Sequence, residues 1–143
     1  MKGPLSKRLE IFIDGACQGN PGEAAVGVVI RCQGCVVQSL SRAIGKATNN
    51  IAEYTALIYA LQEALIQRAD QVRIHTDSAL LYHQMIGDYK IKDPDLRNLW
   101  AQAQHLAKGV GSFEIQYIPR EKNKEADRLA TQAVLKNRSL ERV

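Results

Sequence analysis

The chain has 143 residues, of which 45% are hydrophobic and 24% charged, and its formal net charge is +4. This composition is ordinary for a soluble globular protein and predicts a single domain, residues 1–143, with a real hydrophobic core. The positive charge favours an anionic partner such as a nucleic acid. No apolar run is long enough to span a membrane, and the first residues do not resemble a signal peptide, so we expect a cytoplasmic protein without a membrane partner.

The first half of the sequence predicts three β-strands, at residues 9–14, 24–31 and 35–42. A turn signal at 20–22 separates the first two strands, and the pair Gln33-Gly34 is a plausible two-residue hairpin turn between the next two. Cys32 and Cys35 bracket this hairpin turn. Opposed strand positions lie within disulfide reach, so a bridge is one interpretation, but a cytoplasmic setting favours two reduced thiols.

The second half of the sequence alternates helices and strands. A capping cluster at residues 48–50 begins a very apolar helix that continues to residue 68. The elements predicted after it are a strand at 71–76, helices at 78–85 and 94–108, a strand at 113–118 and a last helix at 123–136. This order indicates an α/β fold in which helices cover a mixed sheet. The core should span residues 9–135, with loose tails at 1–8 and 137–143.

Four acidic residues lie where these elements should face the core: Asp14, Glu53, Asp77 and Asp127. Asp14 and Asp77 end two strands, Glu53 lies in the first turn of the apolar helix, and Asp127 lies at the inward margin of the last one. A buried carboxylate costs several kcal/mol unless it is paired, protonated or bound to a metal. Capping or a turn explains the first three individually. All four together predict a metal site.

The segments around these acids match a known pattern in order and in spacing. They are residues 14–22 (DGACQGNPG), 48–53 (TNNIAE), 76–78 (TDS) and 123–130 (NKEADRLA). Together they resemble the ribonuclease H type 1 family, and the resemblance spans roughly residues 9–135. It implies the ribonuclease H-like α/β fold, which has a five-stranded mixed sheet with three antiparallel strands first and helices on both faces.

The resemblance also implies an activity, which is cleavage of the RNA strand of RNA/DNA hybrids with two Mg²⁺ ions, for which Mn²⁺ would substitute. The products would carry 5′-phosphate and 3′-hydroxyl ends. By matched position, Asp14 would bridge the two metals, with Glu53 and Asp77 on one side and Asp127 on the other. Two other interpretations stay open: a non-catalytic hybrid-binding module, and a nuclease that also cuts double-stranded RNA. We expect a monomer.

Substrate contacts carry over in the same way. The resemblance assigns contacts with the RNA strand to backbone groups near Gly15 and Cys17 and to three asparagines, Asn20, Asn49 and Asn50. Recognition of the 2′-hydroxyl is how a protein separates RNA from DNA. Thr48 would contact a phosphate of the DNA strand, and it can cap its helix at the same time.

The sequence departs from the family pattern in two places. The loop before the last helix, residues 117–123, lacks the histidine that helps product leave in many members, and it resembles a Pro-Arg-Glu variant. In that variant, Arg120 or Glu121 would take over this role. The second departure is a missing basic protrusion, since only residues 88–93 connect the second and third helices.

Overall fold

The computed structural model describes residues 7–141, and the side chains of residues 7–137. Its strands and helices follow the predicted order. They are β1 (Arg8–Gly19), β2 (Gly22–Cys32), β3 (Cys35–Ala47), α1 (Asn49–Ile66), β4 (Gln71–Thr76), α2 (Ala79–Met85), α3 (Pro94–Lys108), β5 (Ser112–Tyr117) and α4 (Lys124–Glu141), with a 3-10 turn at Arg120–Lys122 before α4.

The five strands form one mixed sheet in the order β3-β2-β1-β4-β5. β1, β2 and β3 pair in antiparallel fashion, whereas β4 is parallel to β1 and β5 is parallel to β4. The predicted fold class is therefore confirmed. Because parallel strands point the same way, the carboxyl ends of β1, β4 and β5 all lie at one edge of the sheet.

Helices cover both faces of the sheet, as expected. On one face, Ile11 and Ile13 of β1 are fully buried against the apolar helix α1, and α2 and α3 extend this core. On the other face, α4 crosses β2 at Gly27, where a Cβ on residue 27 would collide with the carbonyl oxygen of Ala126. Only glycine allows the helix backbone to approach the strand so closely.

The strands extend further than the sequence predicts. We expected β1 to end at Asp14, but residues 15–19 continue it and pair with β2. β3 likewise continues to Ala47. These extensions consist largely of small and polar residues without a two-residue alternation, and they are held by ladder hydrogen bonds to β2 that the pattern of side chains does not signal.

Both predicted tails are shorter than expected within the described residues. The backbone N–H of Lys7 donates to the Asp70 carboxylate at 2.7 Å, and Arg8 already belongs to β1. At the other end, α4 continues past residue 136 to Glu141. The remainder of the predicted tails, residues 1–6 and 142–143, lies outside the described residues.

The hairpin between β2 and β3 has the predicted two-residue turn. Gln33 and Gly34 have positive φ angles of 53° and 80°, which match the right-handed twist of the flanking strands. Cys32 and Cys35 are register partners across this turn, and both carry free thiols.

None of the helices that the structure describes is long and apolar enough to cross a membrane.

Candidate active site

The end of the parallel pairing between β1 and β4 brings Asp14 and Asp77 together. Ile13 of β1 is the register partner of Thr76 of β4 in the parallel pair. The residues that follow, Asp14 and Asp77, therefore lie side by side at the carboxyl edge of the sheet. Charged side chains at this edge of an open α/β sheet line the crevice where ligands bind.

The first turn of α1 carries Glu53 to the same place. The Thr48 hydroxyl caps this helix by accepting the backbone N–H of Ile51 at 3.1 Å. Gly15 lets the turn approach β1, because a Cβ on residue 15 would lie 2.8 Å from the Cβ of Ala52 and from the backbone nitrogen of Glu53. The absence of a side chain at position 15 thus serves helix packing as well as the predicted approach of a ligand.

Three carboxylates form a tight cluster at this edge. One oxygen from each of Asp14, Glu53 and Asp77 lies within 4.8 Å of the others. Asp14 and Glu53 are only 4% and 5% exposed. Asp127 approaches from α4, on the opposite face of the sheet, and its carboxylate contributes to a raised pKa of Asp14. All four acids singled out in the sequence therefore line one cleft.

The environment of these carboxylates opposes their ionisation. Burial, followed by the negative charges of Asp77 and Asp127, raises the pKa of Asp14 from its ordinary value of 3.8 to about 7. Burial, followed by the charges of Asp14 and Asp77, raises the pKa of Glu53 well above its ordinary value. Such clustering costs free energy unless protons or cations neutralise it.

The donor set fits a hard divalent cation. One oxygen of Glu53 (Oε2) is buried and has no hydrogen-bond partner among the described residues, so its lone pairs are free to coordinate a cation. Clustered carboxylate oxygens are the ligands that Mg²⁺ and Mn²⁺ prefer. A divalent cation would also offset the repulsion among these carboxylates, which adds to the effect of burial on both pKa values.

The cleft has a volume of about 390 Å³ and is open to solvent. Its lining includes four more of the residues singled out in the sequence: Gly15, Cys17, Asn49 and Arg120. Arg120 reaches the cleft from the exposed 3-10 turn before α4, whereas its neighbour Glu121 does not line it. This placement favours Arg120 over Glu121 as the group that faces a ligand.

Three predicted substrate contacts lie outside the cleft lining. Thr48 caps α1 through its hydroxyl, and Asn50 follows in the first helical turn. The side-chain oxygen of Asn20 accepts the backbone N–H of Asn49 at 3.0 Å, which ties the β1–β2 turn to the start of α1. Asn20 thus positions Asn49.

The sequence does not identify Asn123 as a residue that supports the acidic cluster. Asn123 is 1% exposed, and its side-chain N–H groups donate to the carbonyl oxygen of Ile13 at 2.8 Å and to Asp77 at 3.0 Å. The sequence offers no signal for these bonds, because an asparagine directly before a helix is explained by capping. The backbone carbonyl of Asn123, not its side chain, accepts the backbone N–H of Asp127 at 3.1 Å.

Asn123→Ala is expected to reduce stability and activity together. The substitution leaves the Ile13 carbonyl without its side-chain donor and frees Asp77 to move, so the free energy of unfolding should fall by about 2 kcal/mol. If Asp77 holds a metal as the resemblance implies, loss of its hydrogen-bond partner should lower activity by about tenfold or more. Chemical denaturation and steady-state kinetics measure the two effects.

Asn137→Ala is the matched control, since Asn137 lies on the same helix and makes one side-chain hydrogen bond, to Glu23 at 3.2 Å. Activity should stay near the wild-type level in this variant. Equal losses of activity in the two variants would show that Asn123 acts only through overall stability.

A family model described as reverse transcriptase-like matches residues 12–133, from β1 into α4. Ribonuclease HI of Halobacterium salinarum is 41% identical over 128 residues, which cover 89% of this chain and 64% of that protein. A bifunctional protein of Mycobacterium tuberculosis is 40% identical over 129 residues, 89% of this chain. The chain spans only 35% of that second protein.

Solved structures agree with these relatives. The crystal structure of RNase H1 from H. salinarum has a TM-score of 0.87 and covers 89% of this chain and 97% of that one. The crystal structure of LC11-RNase H1 in complex with an RNA/DNA hybrid has a TM-score of 0.85 at 39% identity, over 90% of this chain and 98% of that one. The chain belongs to the ribonuclease H type 1 family.

Proposed function

We propose that this chain is a divalent-metal-dependent endoribonuclease that hydrolyses the RNA strand of RNA/DNA hybrids and leaves 5′-phosphate and 3′-hydroxyl ends. The observation that carries the proposal is the cluster of Asp14, Glu53 and Asp77, with Asp127 beside it, in an open cleft. The hybrid bound to LC11-RNase H1 supports the substrate class. A module that only binds phosphate backbones would gain nothing from four carboxylates at its centre.

The four carboxylates would hold two Mg²⁺ ions, with Mn²⁺ as a substitute, and Asp14 would serve both. When bound, the ions would supply Lewis acidity for the attacking water and for the leaving 3′ oxygen. The chain itself positions the carboxylates: Gly15 lets α1 bring Glu53 close to β1, and Asn123 holds Asp77 through its 3.0 Å hydrogen bond.

Polar groups around the carboxylates would select and hold the substrate. Asn49 is exposed in the cleft, where its amide can donate to or accept from an RNA 2′-hydroxyl. Gly15 and Cys17 would contribute backbone groups beside it. Thr48 would reach a phosphate of the DNA strand, and Asn20 and Asn50 complete the proposed contacts with the RNA strand.

Cleavage of a labelled RNA strand tests this function directly. The RNA would be presented in a hybrid with DNA, in a duplex with RNA and as a single strand, each with Mg²⁺, with Mn²⁺ or with a chelator. We expect cutting of the hybrid only when a divalent ion is present. Hybrid binding without any cutting would establish the non-catalytic module instead, and equal cutting of both duplexes would establish the broader nuclease.

Arg120→Ala tests the group that replaces the missing histidine. Arg120 lines the cleft, and a guanidinium can donate charge-assisted hydrogen bonds to a phosphate oxygen. Its loss should lower turnover by about tenfold, which corresponds to one such bond. Lys122→Ala, a neighbouring charge outside the cleft lining, is the control. Unchanged turnover in Arg120→Ala, with a loss in Glu121→Gln, would reassign the role to Glu121.

A further inference from the structure

Four aromatic rings form a continuous run on the surface beside α2. The centroids of Tyr117 and Tyr82 lie 6.2 Å apart, those of Tyr82 and His83 lie 5.1 Å apart, and those of His83 and Tyr89 lie 4.5 Å apart. We call Tyr117, Tyr82, His83 and Tyr89 the aromatic run. Its two end members, Tyr117 and Tyr89, are 53% and 49% exposed, so solvent reaches an aromatic side chain at both ends.

The aromatic run begins next to the candidate active site. Tyr117 of β5 is the register partner of Thr76, the residue directly before Asp77. Tyr82 lies in α2, which starts after the Asp77-Ser78 pair, and Tyr89 lies in the connection between α2 and α3. The run therefore leads away from the carboxylates along the β4–β5 side of the molecule.

Two lysines lie near Tyr89, in a segment that also carries Asp88, Asp93 and Asp95. Two of these acids have other contacts: Asp88 lies 3.2 Å from the ring nitrogen Nδ1 of His83, and Asp93 caps α3 by accepting two backbone N–H groups. Lys90 and Lys92 are exposed, and neither forms an ion pair with any residue that the structure describes. The segment thus offers two ammonium groups beside an exposed ring.

We propose that the aromatic run binds unpaired RNA that continues beyond the hybrid from the strand held in the cleft. Unpaired RNA bases stack on aromatic side chains, and Lys90 and Lys92 would contact the phosphates between them. The inference rests on the proposed function, which places the RNA strand at the carboxylates. RNA is favoured over DNA because the run starts beside Asp77, where the strand to be cut lies.

Cleavage of tailed hybrids tests this surface. The wild-type protein would be given a blunt hybrid and matched hybrids that carry about ten unpaired nucleotides, enough for one single-strand site, as RNA at either end of the RNA strand or as DNA. We expect kcat/KM for an RNA-tailed hybrid to exceed that for the blunt hybrid by ~5-fold or more. This factor corresponds to the stacking of one base on a tyrosine.

Two variants separate stacking from other effects. Tyr89→Ala should remove most of the preference for the RNA tail and leave cleavage of the blunt hybrid unchanged, whereas Tyr89→Phe keeps a ring and should keep the preference. A photoreactive uridine in the RNA tail should cross-link to Tyr89 or Tyr117.

The inference would be overturned if wild type cut tailed and blunt hybrids equally, if a DNA tail worked as well as an RNA tail, or if the preference survived in the Tyr89→Ala, Tyr117→Ala double variant. Failure to cut the blunt hybrid at all would count against the proposed function instead, so the two failures are distinguishable.

Discussion

Asp14→Asn is expected to lower cleavage of an RNA/DNA hybrid by on the order of 10³-fold, as for loss of a group that stabilises charge in the transition state. Asp14 lies in the acidic cluster beside Glu53 and Asp77, and Asp127 lines the same cleft. Asparagine keeps the shape of the side chain but removes a negative charge that the proposed metal ions need. Single-turnover cleavage with saturating Mg²⁺ measures the loss.

Hybrid binding by the same variant should be unchanged or tighter, because the substitution removes repulsion between the cluster and a phosphate. Fluorescence anisotropy with a labelled hybrid measures this affinity. Asp95→Asn, an exposed aspartate at the start of α3, is the control and should cut at the wild-type rate. Cleavage by Asp14→Asn at the wild-type rate would remove Asp14 from the proposed metal site.

The second large effect is a loss of stability of the metal-free protein as the pH rises. The pKa of Asp14 is raised from 3.8 to about 7, chiefly by burial, so the folded state binds more protons than the unfolded state between these values. Stability therefore falls as pH rises through this window, and Glu53, whose pKa is also raised by burial, adds a loss of the same sign. The shift of Asp14 alone corresponds to a loss on the order of 4 kcal/mol in the free energy of unfolding.

Denaturant unfolding of the chelated protein at several pH values measures this loss. Asp14→Asn should show a flatter profile and should be more stable than wild type at neutral pH. The pKa of His75 is lowered mainly by burial, so its contribution to the free energy of unfolding increases as pH rises. Wild type and variant share this contribution, which therefore does not affect their comparison. Parallel pH profiles for the two proteins would contradict the assignment of this loss to Asp14. Added Mg²⁺ should stabilise wild type most above pH 7.

Much of the fold was predictable because its elements carry local signals. The β2–β3 hairpin followed from Gln33-Gly34, and the start of α1 followed from the cap at Thr48. The ends of β1 and β3 were not predictable, since pairing with β2 extends them and a strand's own residues do not encode its partner. The extension of α4 past residue 136 was likewise missed.

The sequence by itself determined the order of the elements, the family resemblance and the four acids. Each depends on residues close together in the chain, where periodicity and capping act. Only the tertiary structure decided that Asn123 supports Asp77, 46 residues away, and Ile13, 110 residues away. Burial, raised pKa values and the aromatic run likewise depend on atoms that folding brings together from distant segments, and no local pattern records those distances.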